Sequence, residues 1–498
     1  MTLLLFNHDY HYEMENICRL FFPFAKIRIL RDETQDGDEN TIVTALERGP
    51  EETRLLARVD LAGRTGEATE TLKNDADDYE AECERRMAAL LYRLLCARTG
   101  LNPPWGILTG VRPGKLMRRL CAAYGEEGAR RYFTDRLLVS GEKTGLCMET
   151  AAREEAIILQ SPPRAFSLYV SVPFCPSRCS YCSFVSHSVE RSFHLIKDYV
   201  NLLCEEIART GEIAAALDLK LQTVYIGGGT PTVLSPEQLT QVMDAIRSSF
   251  DTAHAREYTV EAGRPDTVTK EKLDAIRRGG AGRVSVNPQT MDDAVLEAIG
   301  RRHTAQQTRD AYALARTCGF DSINMDLIAG LPGDTPERFS RTLDAVLALR
   351  PENITVHTLS LKRSSRLTGE GELPDAAAAG SAGAMLTETA ARLPGAGYRP
   401  YYLYRQSKTV GNLENTGYAV PGYEGLYNIY IMDETHTILG CGASAVTKLK
   451  ADNGHIERIF NFKYPYEYIS RFTEMINRKE KVTAFYETYR DEFTGAGL

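Results

Sequence analysis

Cys175, Cys179 and Cys182 stand in the run Cys-Pro-Ser-Arg-Cys-Ser-Tyr-Cys, with three and then two residues between them. Three thiolates at this spacing on one loop can hold three irons of a four-iron, four-sulfur cluster. The sequence supplies no nearby fourth cysteine, so one iron would stay open to an exogenous ligand. Zinc is the rival reading, because zinc takes four ligands and His187 would complete a Cys3His set. About fifty residues on, Gly227-Gly228-Gly229-Thr230-Pro231 offers backbone that a charged amino or carboxylate group can approach without meeting a Cβ. Glu261, Gln289, Asp326 and Ser360 follow at intervals, and Arg301 comes directly after Ala298-Ile299-Gly300. Any one of these five could be an ordinary core-edge or surface group; the placement shared by Glu261, Gln289, Asp326 and Ser360 is what gives the set weight.

That placement comes from the elements around them. Six β-rich segments recur at Ser167–Phe174, Thr223–Gly229, Glu257–Gly263, Arg283–Gln289, Ser322–Leu331 and Asn353–Ser360. Amphipathic helical stretches lie between them at Phe193–Ala215, Pro236–Phe250, Lys270–Gly279, Thr304–Cys318 and Pro336–Leu349. Alternating β and α units of this length predict a parallel sheet with right-handed crossovers. Six units predict an α/β fold of partial (β/α)6 barrel type, expected over 161–370. Ligands of such barrels bind at the carboxyl ends of the strands. The cysteine loop, the glycine run, Glu261, Gln289, Asp326 and Ser360 all fall at or near those ends.

Residues 1–160 read as a separate α+β domain of unknown role. A helix is expected near residues 10–21, strands at Lys26–Leu30, Thr41–Glu47 and Arg54–Leu61, and a helix over Cys83–Ala97 stopped by Gly100. The Ala/Gly-rich stretch Asp375–Ala384 reads as a mobile linker. A small C-terminal extension, 385–498, should add a helix, a β-rich stretch around Tyr423–Thr447 and a helical tail.

Composition narrows the class of protein. With 498 residues, 43% hydrophobic and 25% charged, the chain has ordinary globular character. Its net charge of −8 gives no support to nucleic-acid binding. No stretch approaches the roughly 18 apolar residues of a membrane span, and the opening Met1–Phe6 run is too short for a secretory signal. Eleven cysteines, an odd number, argue against a disulfide framework. The expectation is a cytoplasmic protein.

The motifs also carry a resemblance. Cys-x3-Cys-x2-Cys followed by a Gly-rich strand end resembles the radical S-adenosylmethionine superfamily. Leu168-Tyr-Val-Ser-Val-Pro-Phe-Cys175, Gly227-Gly-Gly-Thr-Pro-Thr232, Asn324-Met-Asp-Leu-Ile-Ala-Gly-Leu-Pro332 and Gly440-Cys-Gly-Ala-Ser-Ala445 are similar to the oxygen-independent coproporphyrinogen III oxidase group. Trp105-Gly-Ile-Leu-Thr-Gly-Val-Arg-Pro113 and Tyr401-Tyr-Leu-Tyr-Arg-Gln406 resemble its HemZ-type coproporphyrinogen dehydrogenases. The resemblance implies a radical oxidoreductase of porphyrin and haem biosynthesis. A reduced cluster held by Cys175, Cys179 and Cys182 would give one electron to S-adenosylmethionine. The resulting 5′-deoxyadenosyl radical would take hydrogen from a propionate side chain, whose carboxyl group leaves as carbon dioxide while the remaining two carbons become a vinyl group. It implies contacts to one or two S-adenosylmethionine molecules from Tyr169, Tyr181, Gly228, Gly229, Thr230, Glu261, Gln289, Arg301, Asp326, Ser360 and Val446. Tyr169, Glu261 and Arg301 are expected to act in catalysis as well. The implied partners are a tetrapyrrole and a one-electron donor such as flavodoxin or ferredoxin. Lys362, Arg363, Arg366, Arg405 and Lys408 are suggested here as partners for the four propionates.

Two departures stand beside it. Where the well-studied branch has a further cysteine two residues past the third cluster ligand, this chain has Phe184, as the haem-chaperone branch does. The His-Asn-x-x-Tyr-Trp wording of that branch is here Tyr427-Asn-Ile-Tyr-Ile-Met432, without its histidine and tryptophan. A haem-binding chaperone, or a radical tetrapyrrole methyltransferase or haem-degrading enzyme, is therefore the alternative. His8 and His11 are candidate haem ligands whose plainer reading is exposed or capping histidine.

Overall fold

The computed structural model describes residues 1–33, 39–182, 187–361, 367, 376–406 and 409–489. They fall into two compact units. One comprises Met1–Glu149, a short stretch ending at Gly380, and Arg405–Glu414; the other takes most of the chain from Thr150 onward.

The first unit is built on a five-stranded sheet of β1 (Thr2–Phe6), β2 (Arg28–Arg31), β3 (Asn40–Arg48), β4 (Glu52–Leu61) and β5 (Arg64–Lys73), in the order β2-β1-β3-β4-β5. The three expected strands are β2, β3 and β4. β1 and β5 were not expected: β1 is a short, continuously buried apolar run without alternation, and β5 buries only Leu72 along its length. Helix α1 (His11–Phe21) packs on α2 (Tyr79–Thr99), which covers β4 and β5 and stops at Gly100 with φ +75°. Helix α3 (Pro113–Arg131) follows, and then α4 (Gly141–Ile158), whose residues from Thr150 onward belong to the second unit.

In the second unit the six expected segments are β6 (Ala165–Val172), β9 (Lys220–Gly228), β10 (Glu257–Glu261), β11 (Arg283–Ser285), β12 (Ser322–Ala329) and β13 (Asn353–Thr358). A short pair, β7 (Phe174–Cys175) and β8 (His187–Ser188), lies between the first two. The six run parallel, in the spatial order β13-β12-β11-β10-β9-β6. Their crossovers carry α5 (Val189–Ala216), α6 (Pro236–Ser249), α7 (Lys270–Arg278), α8 (Asp293–Ala298) with α9 (Ala305–Thr317), and α10 (Pro336–Leu349). Local chemistry starts these helices. Ser235 with Gln238, and Thr304 with Gln307, form capping boxes, while Thr269, Asp292 and Thr335 accept from first-turn N–H groups. One face of the sheet is apolar and buried, with Leu168, Val170, Val224, Ile226, Val260, Ile323, Met325, Leu327, Ile354 and Val356. Alternation turns Tyr169, Tyr225, Glu261, Asp326 and His357 to the other face.

The later chain enlarges this sheet at both edges. β14 (Arg399–Arg405) and β15 (Glu414–Ala419) extend it beyond β13, and β15 is antiparallel to that strand. β16 (Thr437–Cys441) lies parallel to β6, and β17 (Val446–Lys450) and β18 (Ile456–Phe460) follow antiparallel.

Two expectations need correction. From Ala376 the supposed linker is the start of a helix, Ala376–Gly395, as its strongly helix-forming alanines favour. The stretch Tyr423–Thr447 contains the helix Leu426–Asp433 before β16. The N–H groups of Leu426 and Tyr427 in its first turn donate to the Glu257 carboxylate at 2.5 and 3.4 Å, which anchors a helix despite its β-prone sequence. None of the described helices is long and apolar enough to cross a membrane.

Candidate active site

β6 ends at Val172 and the chain passes straight into the cysteine loop, with the glycine run of β9 pressed against it. The Gly229 N–H donates to Val172 O and the Thr230 N–H to Phe174 O, both at 2.8 Å. A Cβ on Gly229 would stand 2.5 Å from Phe174 O, and one on Gly227 would stand 2.9 Å from Glu261 Oε2. Two of the three glycines are thus needed for close approach to the chain's own atoms, a constraint that a ligand-centred reading of the run does not contain. Gly228 takes φ +106°, a conformation open to glycine. The Thr230 hydroxyl points at Cys175 Sγ at 3.5 Å. Cys179 is buried, its carbonyl accepts the Cys182 N–H at 3.2 Å, and Ser180 N–H donates to Ile299 O at 3.0 Å.

Arg301 is buried beyond the loop. Its Nε and Nη2 donate to the Tyr181 hydroxyl at 3.3 and 3.1 Å, and its Nη1 to Gly263 O and Asn287 O at 3.2 and 2.9 Å. Burial disfavours its charge, but nearby Tyr181 and Cys179 raise its pKa above the usual guanidinium value, so it stays protonated. Burial likewise raises the Tyr181 phenol. Two of the expected contact residues therefore meet directly.

Glu261 ends β10 beside the glycine run. The Tyr225 hydroxyl donates to its Oε1 in a short hydrogen bond. Loss of water pushes this carboxyl up to about 7; hydrogen bonds from Tyr225 and the Gly228 backbone oppose the shift, and the charge of Asp326 adds to it. Tyr169, Tyr225 and Tyr427 stack in front of it, with ring centroids 6.3 Å apart for Tyr169–Tyr225, 6.2 Å for Tyr169–Tyr427 and 4.5 Å for Tyr225–Tyr427. Across the sheet, Asp326 accepts from Asn324 Nδ2 at 2.7 Å and lies 3.9 Å from His357 Nε2, and the Tyr404 hydroxyl is 3.3 Å from His357 Nδ1. Gln289 pairs its backbone with β12 at φ +68°. Its Oε1 and the Ser360 Oγ are buried without a hydrogen-bond partner among the described residues. Val446 starts β17, its backbone against Gly440, which is in register with Tyr169.

Sequence reasoning missed Tyr225, Tyr427, His357 and Arg264. Tyr225 and His357 had a signal in strand alternation, since each shares a face with an expected residue on its own or the neighbouring strand. Tyr427 was marked only as the start of the run that replaces the chaperone wording, and its place in the stack had no local signal, because it arrives on a helix from 200 residues away.

Other expectations fare differently. Arg405 is not a propionate partner. It is buried in the first unit, its guanidinium donating to Leu108 O and to Asn412 O and lying 5.3 Å from the Trp105 ring centroid. Phe184, Lys362, Arg363, Arg366 and Lys408 lie outside the described residues, as does the side chain of His187. His8 has both ring nitrogens engaged, Nε2 with Thr44 Oγ1 at 3.1 Å and Nδ1 with the Tyr10 N–H at 3.2 Å. His11 Nδ1 lies 3.1 Å from Asp9 Oδ1.

These features fit a cluster with S-adenosylmethionine. Thr230 and Arg264 aim hydrogen-bond donors at the Cys175 and Cys179 sulfurs, a cationic arginine and a carboxyl flank the loop, and two buried polar atoms await partners. Among the described residues no three His, Cys, Asp or Glu side chains gather around one ion. Cluster thiolates each bind a different iron and stand farther apart than the ligands of a single ion.

Residues 169–346 match the family model for the Radical SAM superfamily. Over 478 residues, covering 95% of each chain, the sequence is 36% identical to the oxygen-independent coproporphyrinogen-III oxidase-like protein HemZ of Bacillus subtilis (strain 168). It is 28% identical over 339 residues to the heme chaperone HemW of Escherichia coli (strain K12), covering 68% of this chain and 84% of that protein. The solved coproporphyrinogen III oxidase HemN from Escherichia coli, described as a radical SAM enzyme, matches with a TM-score of 0.50 and 25% identity over 66% of this chain and 73% of its own. With the cysteine loop, the parallel strands and near-complete alignment to HemZ in agreement, the chain belongs to the radical S-adenosylmethionine superfamily and, within it, to the HemZ type of the oxygen-independent coproporphyrinogen III oxidase group.

Proposed function

We propose that this protein carries out the oxygen-independent oxidative decarboxylation of coproporphyrinogen III to protoporphyrinogen IX. The observation that carries the substrate assignment is the likeness to HemZ over 95% of both chains. What supports radical chemistry is the set of groups at the strand ends. Bound together, the cluster and S-adenosylmethionine supply one-electron reductive cleavage and hydrogen abstraction.

The chain's own residues bind and orient. Cys175, Cys179 and Cys182 hold the cluster. Arg301 offers a fixed guanidinium for the methionine carboxylate. Ionised Glu261 offers a counter-charge for the ammonium, beside the Gly227–Gly229 backbone. Asp326 suits ribose hydroxyls, and Gln289 Oε1 and Ser360 Oγ gain partners when the cofactor is bound. Tyr169, Tyr181 and Val446 give the adenosine stacking and apolar contact. The three stacked tyrosines exclude water from the space before Glu261. An electron donor such as flavodoxin or ferredoxin is required, and the cytoplasm is the compartment that suits the chemistry.

The test is anaerobic reconstitution with reductant, S-adenosylmethionine and coproporphyrinogen III, followed by chromatography and mass analysis. The expected outcome is loss of two carboxyl groups with formation of 5′-deoxyadenosine, both abolished in Cys179→Ala. The chaperone reading has Phe184 and the extent of the HemW match in its favour. A stoichiometric complex with haem, formed without consumption of S-adenosylmethionine and with no decarboxylation, would replace the first reading with the second.

A further inference from the structure

Arg264, three residues beyond Glu261, lies 3% exposed against the cysteine loop. Its Nη1 points at Cys179 Sγ at 3.5 Å and at Ser177 O at 3.4 Å, and its Nη2 donates to Ser177 Oγ at 3.1 Å. On the other side, Nε and Nη2 meet the two carboxylate oxygens of Asp266 at 3.0 and 3.1 Å. One rigid guanidinium therefore joins a candidate cluster sulfur, the loop backbone and a carboxylate. A solvated surface arginine would have none of these constraints, and holding a loop in place would not require a donor aimed at sulfur.

We infer that Arg264 tunes the iron–sulfur cluster, raising its reduction potential through an N–H···S contact and a buried positive charge at Cys179, with Asp266 setting how much of that charge the cluster feels. Reduction by one electron adds a negative charge to the cluster, so a donor or cation beside a ligand sulfur stabilises the reduced form. Asp266 opposes this by partly neutralising the guanidinium. Burial alone would raise the Asp266 carboxyl, but its bonds to Arg264 outweigh burial and hold it below the ordinary value, so it is ionised at neutral pH. His303 nearby adds no charge, because burial and Arg301 push its imidazole down to about 4. Arg301 supplies a second fixed cation, bonded to Tyr181 rather than to a cysteine sulfur.

The inference rests on the cluster assignment and not on the tetrapyrrole. Its test is a redox titration of the full-length, anaerobically reconstituted protein against dithionite, followed by electron paramagnetic resonance, with neither S-adenosylmethionine nor tetrapyrrole added. A wild-type protein without a cluster signal would defeat the cofactor assignment before any variant is compared. With the signal present, Arg264→Gln should move the midpoint to more negative potential. The reduced-to-oxidised ratio at a fixed poise should fall roughly tenfold, about 59 mV for a one-electron couple. Arg264→Lys, which keeps the charge and loses the fork, should fall between that variant and wild type. Asp266→Asn should move the midpoint the opposite way, because it leaves the guanidinium uncompensated. The potential is read only on the loaded fraction, so incomplete loading does not obscure it. Unchanged midpoints, or shifts of Arg264→Gln and Asp266→Asn in the same direction, would overturn the inference.

Discussion

Glu261 is a carboxyl group held near neutrality by its surroundings. Its value of about 7, against 4.5 for an unperturbed glutamate, means that the folded protein binds more protons than the unfolded chain between those two pH values. Its contribution to stability is therefore complete below about pH 4.5 and is lost as pH rises through about 7. Thermal melts of the protein without S-adenosylmethionine should show this loss, and Glu261→Gln should flatten it. On the proposed pairing of ionised Glu261 with the cofactor's ammonium group, binding should run the other way. Calorimetric titration should find affinity about tenfold weaker per pH unit below 7, a dependence absent from the Gln variant. The sequence marks Glu261 by its position at a strand end. Its raised pKa comes from loss of water and the charge of Asp326, against the opposing hydrogen bond from Tyr225, and only assembly brings these together.

At the level of elements, the Gly440–Ala445 turn shows how remote segments shape the site. It begins in the last two residues of β16, which pairs with β6 and so neighbours Tyr169. It is held by Glu206 of α5, whose Oε2 accepts from the Gly442 N–H at 2.6 Å and from the Tyr468 hydroxyl at 2.7 Å. Oε1 accepts from Asn461 Nδ2 at 2.7 Å and pairs with Lys479 Nζ at 2.7 Å, with both charged groups fully buried. Breaking one side of a buried pair costs about 3–5 kcal/mol because the other charge remains. Lys479→Met should lower the melting midpoint accordingly, and the double variant with Glu206→Gln should recover part of the loss; denaturant unfolding checks both. The sequence foretold the helices and parallel strands here because periodicity and caps are local. It offered no sign that Lys479, near the end of the chain, would lie against Gly440.

For the molecule as a whole, the first unit depends on two distant parts of the chain. Glu414 is 2% exposed at its side chain, and it accepts from Trp105 Nε1 at 2.7 Å and pairs with Lys143 Nζ at 2.8 Å. Arg405 lies over the same tryptophan, its pKa lowered to about 10 by burial. Residues 150–498 expressed alone would leave Glu414 without Trp105 and Lys143. Limited proteolysis should then cut between Arg405 and Glu414 in the truncated protein but not in the full chain, and the truncated protein should melt at lower temperature.

The sequence by itself determined the repeated β and α units, the cysteine spacing and the polar residues at strand ends. Each of these depends on neighbours within a few residues, and pattern records such neighbours. Tertiary structure alone decided that Arg405 is buried beside Trp105 and that Leu426–Asp433, despite its β-prone sequence, is a helix anchored on Glu257. It also decided that Arg264 reaches Cys179, and that Tyr427 joins the stack before Glu261. These outcomes follow from packing between segments tens to hundreds of residues apart, where the free energy of burial, charge pairing and sheet extension overrides what local composition favours.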